Sequence, residues 1–483
     1  MASLRKNYVY SLLSQLLVIL LPVVTTPYLS RVLGENNLGI YDYILSIVNY
    51  FILFGCIGLN LYGQREIAAS HDDPVKKSAI FYELMMIRTI TMSVSLLIYY
   101  LVLTHFADQP RYYALLGIEL VAALFDISWF YQGNEDFRMQ SIRTIVVRSV
   151  SIACVFIFVK CEEDLDKFIL CYALAILIGN LSLWFPLKGM LVGVSPRSLN
   201  LKRHILPVLI MFLPQIATNV YTQLDKTMIG WLTNHEYAQV TYYSQAEKIV
   251  KIAMTVITAI GGIMLSRMAM VISDKDEEKA KAYIRKSFCF MMLLAFPMMA
   301  GFAAVAEDFV PWFFGPGYDA VIPCLVLLSP LVFIIGVSNI LGTQYLVPSK
   351  RMRQYTLSIV FGMVTNCVGN ALLIPRFRSI GAVIATLIAE TVVSVSQFIF
   401  LRDTFTPAVL LQGKKYFFAA ALMGAAVYAV SLPLPGTIYA TAIEAGAGVL
   451  IYFGLLLLMR DAFLLEQIRS VLPKLKQHIP FLK

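Results

Sequence analysis

Apolar run after apolar run, each close to twenty residues long, restricts this chain more than any other feature. A helix needs about 20 mostly apolar residues to cross the hydrocarbon core of a bilayer. Fourteen stretches qualify: 8–29, 43–61, 80–104, 113–131, 142–159, 168–187, 205–232, 240–270, 288–305, 321–347, 357–374, 380–401, 416–432 and 440–458. Nothing between them is long enough for a soluble domain. Only 14% of the 483 residues are charged and 59% are hydrophobic, where soluble proteins carry about 25% charge. Backbone polar groups inside lipid must be satisfied within the segment, so spans of this kind are helices. The sequence predicts an all-α polytopic membrane protein with about fourteen transmembrane helices.

Arg5 and Lys6 precede the first run, which continues through Pro22 and Pro27 without a small-residue cleavage site. It reads as a span and not as a signal peptide. Orientation follows from Lys and Arg in the short connections. With the N-terminus placed in the cytoplasm, 29 of the 39 cations fall in inner segments, among them Arg138, Arg143 and Arg148. Six fall outside, and Arg88, Lys226, Lys248 and Lys251 lie within spans. This asymmetry predicts both termini in the cytoplasm. It also accounts for the net charge of +9: basic loops face anionic lipid, and no nucleic-acid partner is needed. The seven cysteines show no metal-ligand or redox spacing, and only Cys161 and Cys171 are placed to form an outer disulfide.

A faint internal echo sets LPVVTTPYLSR at 21–31 beside LPQIATNVYTQLDK at 213–226. It fits two six-helix halves, 1–200 and 201–402, a known transporter plan. A further helix pair follows at 403–460. In the tail, 461–483, Leu464, Ile468, Val471 and Leu475 recur at helical spacing between basic residues, as in a helix lying on the inner surface. The longest outer connection is EDFVPWFFGPGYDA at 307–320, too short for the outer domain expected of a glycan polymerase or ligase. GxxxxGK[ST], HExxH and GxSxG motifs are absent. The expectation is a protein without a cofactor that is not an enzyme.

The spans hold charges that lipid does not tolerate cheaply: at a helix centre each costs about 2.5–3.5 kcal/mol on the insertion scale. Gln215, Asn219, Thr222 and Lys226 fall within about 60° of one another on the seventh span. Asp225 lies about 100° from Lys226, so at least one of the two needs a partner on another helix. The next span offers Tyr243, Glu247 and Lys251 on one face, with Lys248 beside them. A network of Asp225, Lys226, Glu247, Lys248 and Lys251 is one expectation. The first half contributes Arg31, Asp42, Glu83 and Arg88, and Glu119 with Asp126 at i, i+7 on one face. The second half adds Asn366 and Asn370 at i, i+4, and Glu390. Each has a plainer reading: amides act as interhelical glue, Asp225 with a lysine as a structural pair, Lys251 as a snorkelling end. Taken together they predict a hydrated cavity. Arg31, Arg88, Lys226, Lys248 and Lys251 suit an anionic substrate such as a diphosphate. The carboxylates serve as charge partners or in ion coupling. Gln215, Asn219, Thr222 and Tyr243 line the cavity.

The stretches PYLSRVLGENNLGIYDY (27–43), FDISWFYQGNEDF (125–137), YTQLDKTMIGWL (221–232), YYSQAEKI (242–249), FGPGYDAVIPCLVLLSP (314–330), SNILGTQYLVPSKR (338–351) and NALLIPRFRSIGAVIATLIAE (370–390) resemble a known family. It is that of the polysaccharide transporters, or oligosaccharide repeat-unit flippases, of the multidrug/oligosaccharidyl-lipid/polysaccharide exporter superfamily. The resemblance implies two six-helix bundles in a V whose cavity opens alternately to each side. It implies transport of an undecaprenyl-diphosphate-linked sugar repeat unit from the inner to the outer leaflet, for capsule, exopolysaccharide or related glycans. Membrane lipid and a glycan polymerase are the partners it suggests. Lipid II flippases of the same superfamily carry more arginines in the first helix, where this chain has only Arg31. Two other readings stay open: a cation-coupled drug exporter of the same superfamily, and a membrane glycan polymerase or ligase.

Overall fold

The computed structural model describes the backbone of residues 2–469 except 71–72, 107, 275 and 433–435; the side chains of 2–20 and of a few positions in 103–106, 213–221 and 259–273 also lie outside the description. The chain divides into two compact units, 1–241 and 242–483. Among the described residues there are helices and turns and no strand. This is a multi-pass membrane protein by its apolar helices: among the described residues, nine are long and apolar enough to cross a membrane.

In the first unit, α1 (Ala2–Cys56) is two helices joined at Gly34, whose φ of 73° and ψ of 172° suit glycine almost alone. Then come α2 (Leu59–Ala68), α3 (Pro74–Phe106), α4 (Pro110–Leu124), α5 (Ser128–Gly133), α6 (Phe137–Phe158), α7 (Leu165–Ser182) and α8 (Lys202–Leu232). Helix α8 packs along α1. Ser46 Oγ lies 2.7 Å from Thr227 Oγ1, and a Cβ on Gly230 would strike the ring of Tyr43. That seam groups α8 with the first unit, and the compact units part at 241/242. The two-bundle plan is a separate question from this division.

The second unit holds most of α9 (Tyr237–Ser273), then α10 (Glu277–Phe314), α11 (Val321–Leu328) and α12 (Leu331–Ser338). A π-helical turn follows at Asn339–Leu346. Helix α13 (Met352–Phe400) is a hairpin turning at Arg378, with φ of 55°. Small residues let its arms meet: Gly369 faces Ala385, Gly362 faces Ala389 and Val393, and Gly381 sits on the backbone of Leu373. The segment Pro407–Gly413 leads to α14 (Lys414–Ser431) and α15 (Ile438–Leu458), which stand against α10. Tyr452 donates to the Leu293 carbonyl at 2.9 Å. Because α13 contains two arms, counting helices is not counting crossings, and the figure of fourteen stays an expectation. All seven cysteines are free, including Cys161 and Cys171. Asp461 caps a helix at 462–469 by accepting from Leu464 N at 2.9 Å; the rest of the amphipathic tail lies outside the described residues.

Candidate functional site

The resembling stretch at 125–137 breaks a helix. Helix α4 ends at Leu124, and Asp126 Oδ1 accepts from Ser128 N at 2.9 Å before α5 starts. Glu119 and Asp126 therefore do not share one helix face, because the i, i+7 register is lost at Phe125 and Asp126. The break turns Trp129, Phe130 and Tyr131 inward, all fully buried. Trp129 stacks on Phe81 at 5.7 Å, and Tyr131 donates to the Leu183 carbonyl at 2.5 Å.

Beside this aromatic core lies Glu83 of α3, 1% exposed. Its carboxylate is taken up by residues 200–204 and not by Arg88. Its Oε1 accepts from Asn200 N at 2.6 Å, and its Oε2 pairs with the Arg203 guanidinium and lies 2.7 Å from His204 Nε2. His204 Nδ1 is 2.8 Å from the Tyr62 hydroxyl. With neutral His204, Nε2–H donates to the carboxylate and Nδ1 accepts from Tyr62. Glu83 thus latches the connection before α8 onto α2 and α3. No sequence signal singled out His204, which stands 121 residues from its partner.

Arg88 is equally buried. Its Nη1 donates to Asn60 Oδ1 at 3.0 Å and its Nη2 to Cys56 Sγ at 3.3 Å. It ties the end of α1 to α2, and Nε has no hydrogen-bond partner. The accessible cations of the first unit are others. Arg143 and Arg148, counted from sequence as inner-loop charges, lie inside α6 and are half-buried. Arg148 is within electrostatic reach of Glu119 on α4, and of Tyr41 on α1 and Tyr172 on α7. Arg143 is in reach of Asp126, and its Nε has no hydrogen-bond partner. A guanidinium presents five donors in a planar fork, and here two such forks stand among carboxylates and phenols from α1, α4, α7 and the break between α4 and α5. The apolar run around positions 143 and 148 was the available sequence signal. Moving them from loop to helix leaves the sign of the inner cation excess unchanged.

Arg31 is exposed, and its Nη1 donates to the Pro27 carbonyl at 2.8 Å. Asp42 is buried. On α8, Asp225 is buried, with Tyr50 of α1 in electrostatic reach, and Lys226 is half-buried. The predicted polar stripe is partly absorbed by its own helix: Asn219 Nδ2 donates to the Gln215 carbonyl and Thr222 Oγ1 to the Asn219 carbonyl, each at 3.0 Å.

In the second unit Lys251 Nζ pairs with Glu247 Oε1 at 2.6 Å along α9; Lys248 is half-buried and Glu390 buried. Asp225 and Lys226 belong to one compact unit, and Glu247, Lys248 and Lys251 to the other. Tyr243, 1% exposed, has its hydroxyl 3.3 Å from Thr386 Oγ1. Asn366 Nδ2 donates to Thr386 at 3.5 Å, and Asn370 Nδ2 to Asn366 Oδ1 at 3.1 Å. A neutral chain of hydroxyls and amides thus joins α9 to both arms of α13.

A family described as polysaccharide biosynthesis protein matches residues 4–269, more than half of the chain. The chain belongs to this polysaccharide biosynthesis family. A relative named an O-antigen transporter from Escherichia coli (strain K12) is 26% identical over 408 residues, covering 83% of this chain and 97% of the relative. One of the same name from Shigella dysenteriae is 21% identical over 378 residues, covering 77% and 94%. Among solved structures, the lipid II flippase MurJ in an inward closed conformation superposes with a TM-score of 0.77 at 14% identity, over 94% of this chain and 99% of that one. An inward-facing multidrug resistance MATE family transporter of the MOP superfamily gives 0.64 at 13% identity, over 80% and 93%. At such identities the structures speak for the fold alone: this family member shares the fold of these two transporters. Relatives and neighbours are named for transport, in line with the expectation of a protein that is not an enzyme.

Proposed function

We propose that this polysaccharide biosynthesis family member is a flippase for lipid-linked oligosaccharides. It carries undecaprenyl-diphosphate-linked repeat units from the inner to the outer leaflet of the cell membrane, for capsule or exopolysaccharide-type glycans. Both termini are cytoplasmic, following the excess of cations in one set of connections. The observation that carries the reading is the pair of half-buried guanidinium forks, Arg143 and Arg148, inside an apolar helix of a chain whose named relatives are O-antigen transporters. Such forks match diphosphate oxygens bidentately. Lys226, Lys248, Lys251 and Arg31 extend the cationic lining, with Gln215, Asn219, Thr222 and Tyr243 as polar surface. Asp42, Glu119, Asp126, Asp225, Glu247 and Glu390 balance these charges or couple transport to an ion. Arg88 and Glu83, tied to Asn60, Cys56, Arg203 and His204, take structural parts. Alternating access supplies the movement, driven by different substrate affinity in the two states. A glycan polymerase consumes the exported unit.

Depletion in the native cells, rescued by wild type, by Arg148→Gln or by Lys226→Gln, tests this reading. The expected outcome is build-up of a complete diphosphate-linked oligosaccharide on the inner leaflet, cleared by wild type and poorly by either variant. Build-up on the outer leaflet would instead assign a polymerase or ligase. Drug sensitivity with no lipid intermediate would assign the exporter.

A further inference from the structure

In the second unit, two neighbouring cavities share lining residues where α13 leads into the Pro407–Gly413 segment. One is an apolar groove of about 490 Å³, walled by Phe333, Ile334 and Val337 of α12 and by Val395, Phe398 and Ile399 of α13. This lies within the roughly 300–1,000 Å³ of small-molecule sites. Val395 and Ile399 are about half exposed, so the groove opens to the side of the helices. The other is a polar pocket of about 230 Å³, lined by Lys281, Arg285, Thr404 and Gln412. Phe405 and Thr406 line both, and make the junction.

Each half is built. Phe405 is buried, held edge-on to Tyr345 at 4.9 Å. Gln412 is set against α10 through Cys289, at 3.7 Å, and Gly413 lies against Met292 and Phe296. Lys281 and Arg285 stand at i, i+4 on the first turns of α10 and point along one face. Lys281 bonds Glu278 at 3.0 Å, an exposed pair of little strength. Arg285 has no ion pair among the described residues. Arg402 adds a third cation at the wall of the apolar groove.

Apolar groove and cationic pocket, joined at Phe405–Thr406, have the polarity of an amphiphile laid along them. We propose that this is a binding site for an anionic diacyl phospholipid, its phosphate at Lys281 and Arg285 and an acyl chain in the groove. Basic pockets between helices on the cytoplasmic side are suited to anionic headgroups, and these cations belong to the connections that the charge asymmetry places in the cytoplasm. The site shares no residue with the cationic set proposed for transport, so the lipid is a bound companion and not the cargo.

Native mass spectrometry of the detergent-purified full chain, incubated with phosphatidylglycerol, phosphatidylcholine or undecaprenyl diphosphate, reads this directly. Wild type is expected to retain phosphatidylglycerol over phosphatidylcholine by about tenfold, the scale of one to two basic contacts. Lys281→Gln with Arg285→Gln should erase that preference. Val395→Trp, which fills the groove from its exposed side, should lower retention of both phospholipids. If the double variant fails to fold, the single Arg285→Gln must still reduce the preference. Equal retention of the two phospholipids by wild type overturns the site, as does a preference that survives the double substitution. Retention of undecaprenyl diphosphate but not phosphatidylglycerol overturns it in favour of a substrate site. None of these readouts depends on transport, so the flippase reading stands or falls separately.

Discussion

The polar interior of residues 1–241 is ionic, and that of 242–483 contains a long neutral chain. In the first unit, Glu83 gathers Arg203, His204 and a backbone amide, and Arg148 stands near Glu119, Tyr41 and Tyr172. In the second, Tyr243, Thr386, Asn366 and Asn370 hand hydrogen bonds along three helical segments. Charges in a low-dielectric interior demand specific partners, and removing one strands the other. Amides and hydroxyls find substitutes more easily, even within a membrane. The ionic unit should therefore be the more brittle and the more responsive to an anionic ligand.

Three substitutions probe that contrast, in order of falling effect. Glu83→Ala leaves His204 and Arg203 without their acceptor. It should destabilise the detergent-solubilised protein by about 3 kcal/mol, the low end for a buried pair because Arg203 is half exposed. Glu83→Gln should lose less. Unchanged thermal unfolding of the alanine variant would remove the latch from the account and the brittleness with it.

Arg148→Gln comes next. Clearance of the lipid-linked intermediate should slow roughly tenfold, about 1.4 kcal/mol, with unfolding near that of wild type. Pairing it with Glu119→Gln should give a non-additive result, by about 0.5–3 kcal/mol. Strict additivity would mean that the two side chains act independently.

The smallest change is expected in the neutral chain. Asn370→Ala removes its hydrogen bond to Asn366 and should cost about 0.6 kcal/mol, as interhelical polar contacts in membranes do on average. A loss as large as that of Glu83→Ala would erase the distinction between the two interiors.

Much of this contrast was out of reach of the sequence. The pairs at i, i+4 were legible, since a helix sets their spacing: Glu247 with Lys251, and Asn366 with Asn370, are in contact. Burial of Asp42, Glu83, Arg88 and Asp225 was legible too, from their apolar surroundings. Their partners were not. Glu83 was read only as one of the buried charges of the first half, and its carboxylate goes to residues 117 to 121 positions away. Asp126 was placed on a helix face that ends before it. Arg143 and Arg148 were counted with the inner loop charges although the span drawn at 142–159 contains them, because hydropathy does not tell whether an arginine near a span end meets lipid headgroups or a protein interior.

By itself the sequence determined that this chain is helical and crosses a membrane repeatedly, because hydrophobicity and the need to satisfy the backbone are local sums over about twenty residues. The same local sums placed most of the costly charges. Tertiary structure alone decided which of them meet. Rotation and depth of each helix are set by close packing at Gly230, Gly362, Gly369 and Gly381 and by the break at Asp126. A shift of one residue turns a helical side chain by about 100°, so contacts between distant segments depend on geometry that no local sum contains.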